Sequence, residues 1–309
     1  MNVHIKMENI MQEPTELEGK VLLITHKGCK DGLGVAMAMT QYANEHPEIE
    51  LEIHWAHYND GVNPNVIGIH VIMADFSYDR KTIIQMHKDA KSLVVLDHHT
   101  SAEFDLEGLD YCLFDMDKSG AMLMWEYLYP TEVPPAIIQY IQDRDLWTWE
   151  LKYSREINAA FTLGSDKEVL SNLDYYMSER CIKPLFVNGE PIVKYQDAII
   201  AKITKKPEKM TMVKVAGYEV PCLNNSHLIS EIGNEITKYF PFSLQYFMTG
   251  DKIVFSMRSD KKSVHGFVDV EQIAISFGGG GHPEASGFSF GLDVFNFNNF
   301  FVNKVLDKQ

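Results

Sequence analysis

The sequence predicts an α/β protein: a doubly wound, mainly parallel sheet followed by a smaller α/β C-terminal domain. Strand-like and helical segments alternate through the first part of the chain, and beyond about residue 207 they give way to short strands bounded by turns. Each apolar strand of the first part also ends in residues that carry chemistry.

The elements follow in order. "MNVHIKMENIMQEPTELEGK" mixes both charges, lacks the apolar core of a secretion signal, and reads as a short arm. "KVLLITHKG" is a strand that breaks at His26-Lys27-Gly28, and "DGLGVAMAMTQYANEH" is a helix by its spacing. "VIGIHVIMADFS" is a second strand reaching Asp75, "RKTIIQMHKDAK" a short amphipathic helix, and "SLVVLDHH" a third strand. "PPAIIQYIQDRDLWTW" is a helix running into Asp143 and Asp145. These expectations place one domain at 1–185, a connecting helix at 186–206 and a second domain at 207–309. The aromatic tail "FSFGLDVFNFNNFFVNKVL" reads as a final strand and a packed helix.

Composition narrows the function. At 45% hydrophobic, the 309 residues can build packed cores. A formal charge of −15 argues against a broad basic surface for long duplex DNA. No apolar run is long enough to span a membrane. Cys29, Cys112, Cys181 and Cys222 form no C-x-x-C pair, which suits a reducing cytoplasm.

The chemistry concentrates at the carboxyl ends of the strands, where open α/β sheets bind ligands. His26 and Asp31 follow the first strand, Asp75 the second, and Asp97, His98 and His99 the third. With Asp143 or Asp145 they form a set of oxygen and imidazole donors suited to divalent cations. A second motif, "ISFGGGGHPEASGFSF", has four consecutive glycines, Gly278 to Gly281, ahead of His282. It reads as an anion-binding nest leading into a helix start, with Arg258 as a bidentate phosphate ligand.

At these residues the chain resembles the DHH superfamily of phosphoesterases, in the branch with a DHHA1-type second domain. "HKGCKDG", Asp75, "DHH" at Asp97–His99 and "GGGGHPEASGF" carry the resemblance, in the family's order and across nearly the whole chain. The resemblance implies two divalent metals, usually manganese. His26 would bind the first, Asp31 and His98 the second, and Asp75 would bridge both. Asp143 is favoured as a further ligand, because it follows the apolar "IIQYIQ" run; Asp145 stays open. Asp97 would orient a neighbouring histidine, and His99 would contact the scissile phosphate or protonate the leaving oxygen. His99, Asp97 and Asp75 are thus the catalytic set, and Arg258, Gly279, Gly280, Gly281 and His282 the substrate-binding set.

One residue departs from the family pattern. Where the family carries an aspartate two positions before Asp31, this chain has Cys29. As a ligand it would admit magnesium, cobalt or zinc beside manganese. The implied substrate is a short single-stranded oligonucleotide or small nucleotide, linear or cyclic, with no membrane partner and a homodimer allowed. Hydrolysis by metal-activated water is the leading expectation, ahead of a cyclic-nucleotide or dinucleotide phosphodiesterase or phosphomonoesterase with the same chemistry, or a nucleotide sensor whose centre has decayed at Cys29.

Overall fold

In the computed structural model the described residues are 17–57 and 63–306. The expected N-terminal arm therefore lies, up to residue 16, outside them. The chain divides into two compact units, Met1–Val193 and Lys194–Gln309.

The first unit is built on five strands: β1 (Gly19–His26), β2 (Ile49–Ala56), β3 (His70–Ala74), β4 (Ser92–Asp97) and β5 (Cys112–Phe114). Their order is β2-β1-β3-β4-β5, and every neighbouring pair is parallel. Two of these strands, β2 and β5, are additions to the three expected from the sequence.

Alternation along each strand explains why helices cover both faces. Val21 and Leu23 enter one core and Leu22 and Ile24 the other; Ile72 and Ala74 oppose Val71 and Met73 in the same way. The first core also takes its residues from α1 (Lys30–Glu45), α3 (Gly120–Leu128) and α4 (Ala136–Asp145). The second takes Ile83 and Met86 from α2 (Arg80–Asp89).

The chain leaves β1 for β2 on one side and returns for β3 on the other. That reversal makes a crevice at the carboxyl ends of β1 and β3, the position where such sheets bind ligands. His26 ends β1, Asp75 follows β3, and Asp97 ends β4.

A 23-residue helix, α5 (Ile182–Thr204), contains the boundary between the units. The second unit has seven strands: β6 (Met212–Val215), β7 (Tyr218–Asn224), β8 (Phe242–Thr249), β9 (Lys252–Ser259), β10 (Gly280–His282), β11 (Ala285–Gly291) and β12 (Val305–Leu306). Their order is β10-β11-β9-β8-β7-β6-β12, a mixed sheet. Two helices, α6 (Ile229–Thr237) and α7 (Val270–Ser276), accompany it.

The segment after the glycine run does not begin a helix. His282 to Gly291 instead folds back as a hairpin, with Gly280 opposite Gly287 and His282 opposite Ala285. The alternation of "ASGFSF" explains this, because Ser286 and Phe288 turn inward while β11 pairs along its length with β9. In the tail, Phe295 and Phe300 pack into the core of this unit, and its helical part is a π-helical stretch at Asn298–Asn303.

Candidate metal and phosphoester site

The site begins where β1 stops. Cys29 caps α1 from an extended conformation, and its Sγ accepts the N–H of Gly32 at 3.1 Å. The thiol donates to Oδ2 of Asp75 at 2.9 Å. Burial, with Asp75 and then Asp31 nearby, pushes the Cys29 thiol well above its ordinary range. His26, half-buried and next to His99 and His57, is lowered to about 4 and stays a neutral imidazole at neutral pH.

Asp31 enters from the first turn of α1 and is buried. Its Oδ2 accepts the N–H of Gly120 at 2.6 Å and its Oδ1 that of Ala121 at 3.0 Å. These are unpaired donors at the start of α3, where the helix dipole favours an anion. Gly120 is required there, since any Cβ would collide with the backbone and Cβ of Asp75.

Asp75 holds a left-handed backbone at φ 55°, uncommon for a residue with a side chain. Strain of this kind collects at functional sites. Burial and the neighbouring Asp31 raise its carboxyl above the usual range, against the opposing pull of His98 and His99. His98 is surrounded by acids: its Nε2 lies 3.4 Å from Asp75, 3.5 Å from Asp145 and 3.7 Å from Asp31. Burial opposes its charged form, but these carboxylates prevail and raise it to about 10.

Within the described residues of the first unit, two three-residue groups of ligand atoms share Asp75. The donors of His26, Cys29 and Asp75 lie within 4.8 Å of one another, as do those of Asp31, Asp75 and His98. The donor chemistry fits a pair of divalent cations joined by a common carboxylate.

Beside this centre lies Asp97, fully buried at the end of β4. Its Oδ1 accepts the His98 N–H at 2.8 Å and lies 2.7 Å from Nδ1 of His99; its Oδ2 accepts the Ser77 hydroxyl at 2.6 Å. Burial alone would raise the Asp97 carboxyl, but His99, His98 and Ser77 outweigh it and hold it below the ordinary range. The same pairing raises His99 against its own burial. An ionised Asp97 keeps the proton of His99 on Nδ1 and leaves Nε2 as the titrating nitrogen.

Asp143 and Asp145, the two candidates of this segment, have different partners. Asp143 organises the loop after α4: its Oδ1 accepts from Thr148 Oγ1 at 2.7 Å and Glu150 N at 2.7 Å, its Oδ2 from Leu151 N at 3.3 Å. The loop needs such an anchor because Trp147 and Trp149 both adopt left-handed backbones, at φ 58° and 55°. Asp145 is the one that approaches His98. Sequence reasoning also missed Ser77, Gly120 and Thr148. A Ser two residues after the strand-end acid, and Ser119-Gly120 at a helix start, were the available signals.

The substrate-binding candidates all lie in the second unit. Arg258, on β9, donates to Met257 O at 2.7 Å and to Ser230 Oγ at 2.9 Å. Gly279 passes against Gly287 and Phe288, and Gly281, at φ 140°, against Ala285 and Ser286, where a side chain on either would clash. These two glycines thus close-pack the hairpin, while Gly280 pairs with Gly287 within it. His282 accepts the Ser286 hydroxyl through its carbonyl at 2.6 Å.

No family model matches the chain. It is 29% identical over 289 residues to uncharacterized protein R106 of Acanthamoeba polyphaga mimivirus, covering 87% of this chain and 67% of that protein. It is 24% identical over 234 residues to oligoribonuclease NrnB of Bacillus subtilis (strain 168). That match covers 68% of this chain but only 55% of the relative, so this chain spans little more than half of NrnB's length. A solved structure of an exopolyphosphatase-related protein from Bacteroides fragilis shares the fold, with a TM-score of 0.57 at 11% identity, covering 97% of this chain and 94% of that one. The oligoribonuclease relative and the shared fold support the resemblance to the DHH superfamily of phosphoesterases. The triplet that carries this resemblance is Asp97-His98-His99, each member with a different set of partners. No described helix is long and apolar enough to cross a membrane.

Proposed function

We propose that this protein is a DHH-type, metal-dependent phosphodiesterase that hydrolyses short oligonucleotides or small nucleotides. The observation that carries the reading is the pair of ligand groups sharing Asp75, set beside the Asp97–His99 couple. The oligoribonuclease relative supports the substrate class, and the net charge of −15 suits a small substrate better than long duplex DNA.

His26, Cys29 and Asp75 would hold one divalent cation, and Asp31, Asp75, His98 and Asp145 the other. Bound there, the pair would supply an activated water and neutralise charge on the phosphoryl oxygens. The remaining work falls to the chain. Asp31 is held in place as a donor by two helix N–H groups. Asp97 holds His99 in one tautomer, so that Nε2 delivers its proton to the departing sugar oxygen, which is a poor leaving group unless protonated. In the second unit, Arg258 is the candidate ligand for substrate phosphate, as a planar and permanently charged group. Gly279, Gly280, Gly281 and His282 remain candidates for substrate contact beside their role in the hairpin.

The test is hydrolysis of end-labelled dinucleotides and longer RNA and DNA strands in manganese, with products resolved by length. The reading expects mononucleotide product, fastest from the shortest chains. A folded, metal-loaded protein that leaves every one of these strands intact would contradict it.

A further inference from the structure

The two ligand groups that share Asp75 are chemically unlike. One contains a sulfur: Cys29, with His26 and Asp75. The other contains only carboxylate and imidazole: Asp31, Asp75 and His98, with Asp145 3.5 Å from the same histidine. Cys29 also differs from the other three cysteines. Cys112, Cys181 and Cys222 are each buried within an apolar core, whereas Cys29 is half-buried and directed at a carboxylate.

A helix cap does not explain a thiol at this position. Ser, Thr, Asp and Asn cap better, because oxygen accepts an N–H more strongly than sulfur does. The Gly32 N–H on Sγ instead holds the sulfur in orientation at the start of α1. The thiol hydrogen bond to Asp75 Oδ2 aims the sulfur at the carboxylate common to both groups.

We propose that the two positions load different metals: a thiophilic divalent ion of the zinc or cobalt class at His26–Cys29–Asp75, and a harder ion of the manganese class at Asp31–Asp75–His98. This rests on the dinuclear reading above and adds the identity of the occupants. On loading, the Sγ–H bond breaks, its proton passes to solvent, and sulfur binds as a thiolate with no change of oxidation state. Thiolate selects softer ions, and carboxylate with imidazole tolerates harder ones. Raw affinity favours zinc or cobalt over manganese at almost any such position, so the distinguishing property is where the first equivalent goes.

The test uses the full chain, stripped of metal by a chelator and then given excess manganese. Cobalt(II) is added by fractions of an equivalent while the near-ultraviolet thiolate-to-cobalt charge-transfer band is followed. The band should grow linearly to full height at one equivalent per chain, and a second equivalent should displace manganese without adding intensity. Cys29→Ser should abolish the band, and Cys29→Asp should abolish it while restoring two bound manganese ions by metal counting. A wild-type protein that binds cobalt without the band, or whose band rises only with the second equivalent, overturns the proposal. These readouts need no turnover, so a protein that shows the band yet hydrolyses nothing sinks the phosphodiesterase reading alone. Identical loading of both positions sinks only the present inference, and failure to bind either ion sinks the dinuclear centre as well.

Discussion

The Nε2 atom of His98 lies 3.4 Å from Oδ1 of Asp75, while the other oxygen of that carboxylate accepts the Cys29 thiol at 2.9 Å. One side chain, on a left-handed residue at a strand end, thus touches both ligand groups. Asp75→Asn should therefore lower hydrolysis more than any other single ligand change, by at least about a hundredfold. Asparagine tolerates the left-handed backbone, so circular dichroism and the melting temperature should stay close to wild type. Metal counting should show loss at both positions; loss at one alone would remove Asp75 from the bridge.

Asp143 and Asp145, two residues apart, should behave oppositely. Asp143→Ala removes the acceptor of three hydrogen bonds in a buried loop anchor and should destabilise the protein by on the order of 3 kcal/mol. Asp145→Asn should leave stability intact and weaken metal binding. Denaturant unfolding and metal titration of both variants check this, and a reversal would restore Asp143 as the ligand.

That pair also shows what the sequence could carry. Strands β1, β3 and β4 were legible because each is an unbroken apolar run closed by an acid or a histidine. The short β5 has only three residues, and the edge strand β2, "IELEIHWA", is interrupted by Glu50, Glu52 and His54, so neither makes such a run. The direction of Asp143 depends on the left-handed backbones of Trp147 and Trp149, which no local pattern announces. The glycine run was read through its freedom to approach an anion. Gly279 and Gly281 are instead fixed by cross-strand packing against residues up to nine positions away, a tertiary fact.

The metal-free protein should lose stability as pH rises from acid to neutral. Burial and the neighbouring Asp31 raise the carboxyls of Asp75 and Asp145 above their unfolded value of 3.8. Above that value the folded state holds more protons than the unfolded one, so stability falls with pH until these groups have ionised. His98 is raised to about 10, so its contribution is full below 6.5 and is lost progressively as pH rises from there to 10. Asp97 is depressed and contributes throughout this range, losing its share only in strong acid. Melting curves of chelator-treated protein from pH 5 to 8 should slope downward, and Asp145→Asn should flatten the slope. Divalent metal should reverse it, since it binds the deprotonated groups. An upward slope without metal would contradict the electrostatic account.

Asp97→Asn should lower kcat by about 10–100-fold, because the amide no longer fixes the His99 tautomer. Removing the anion also lowers the His99 pKa, so the alkaline limb of the kcat profile should move to lower pH. An unmoved limb would mean that His99 is not the acid.

Arg258→Ala should raise KM for a dinucleotide while leaving metal content at the wild-type level, and Arg258→Lys should recover only part of the loss, lacking the planar fork. Metal loss in either variant would argue against a role confined to substrate.

The most direct test of the central claim is a titration of chelator-treated protein with manganese, following release of mononucleotide from an end-labelled diribonucleotide. The account predicts no release without metal, a rise that saturates with two bound ions per chain, and no rise for Asp75→Asn. Release that is independent of metal, or equal in the Asp75→Asn protein, would contradict it.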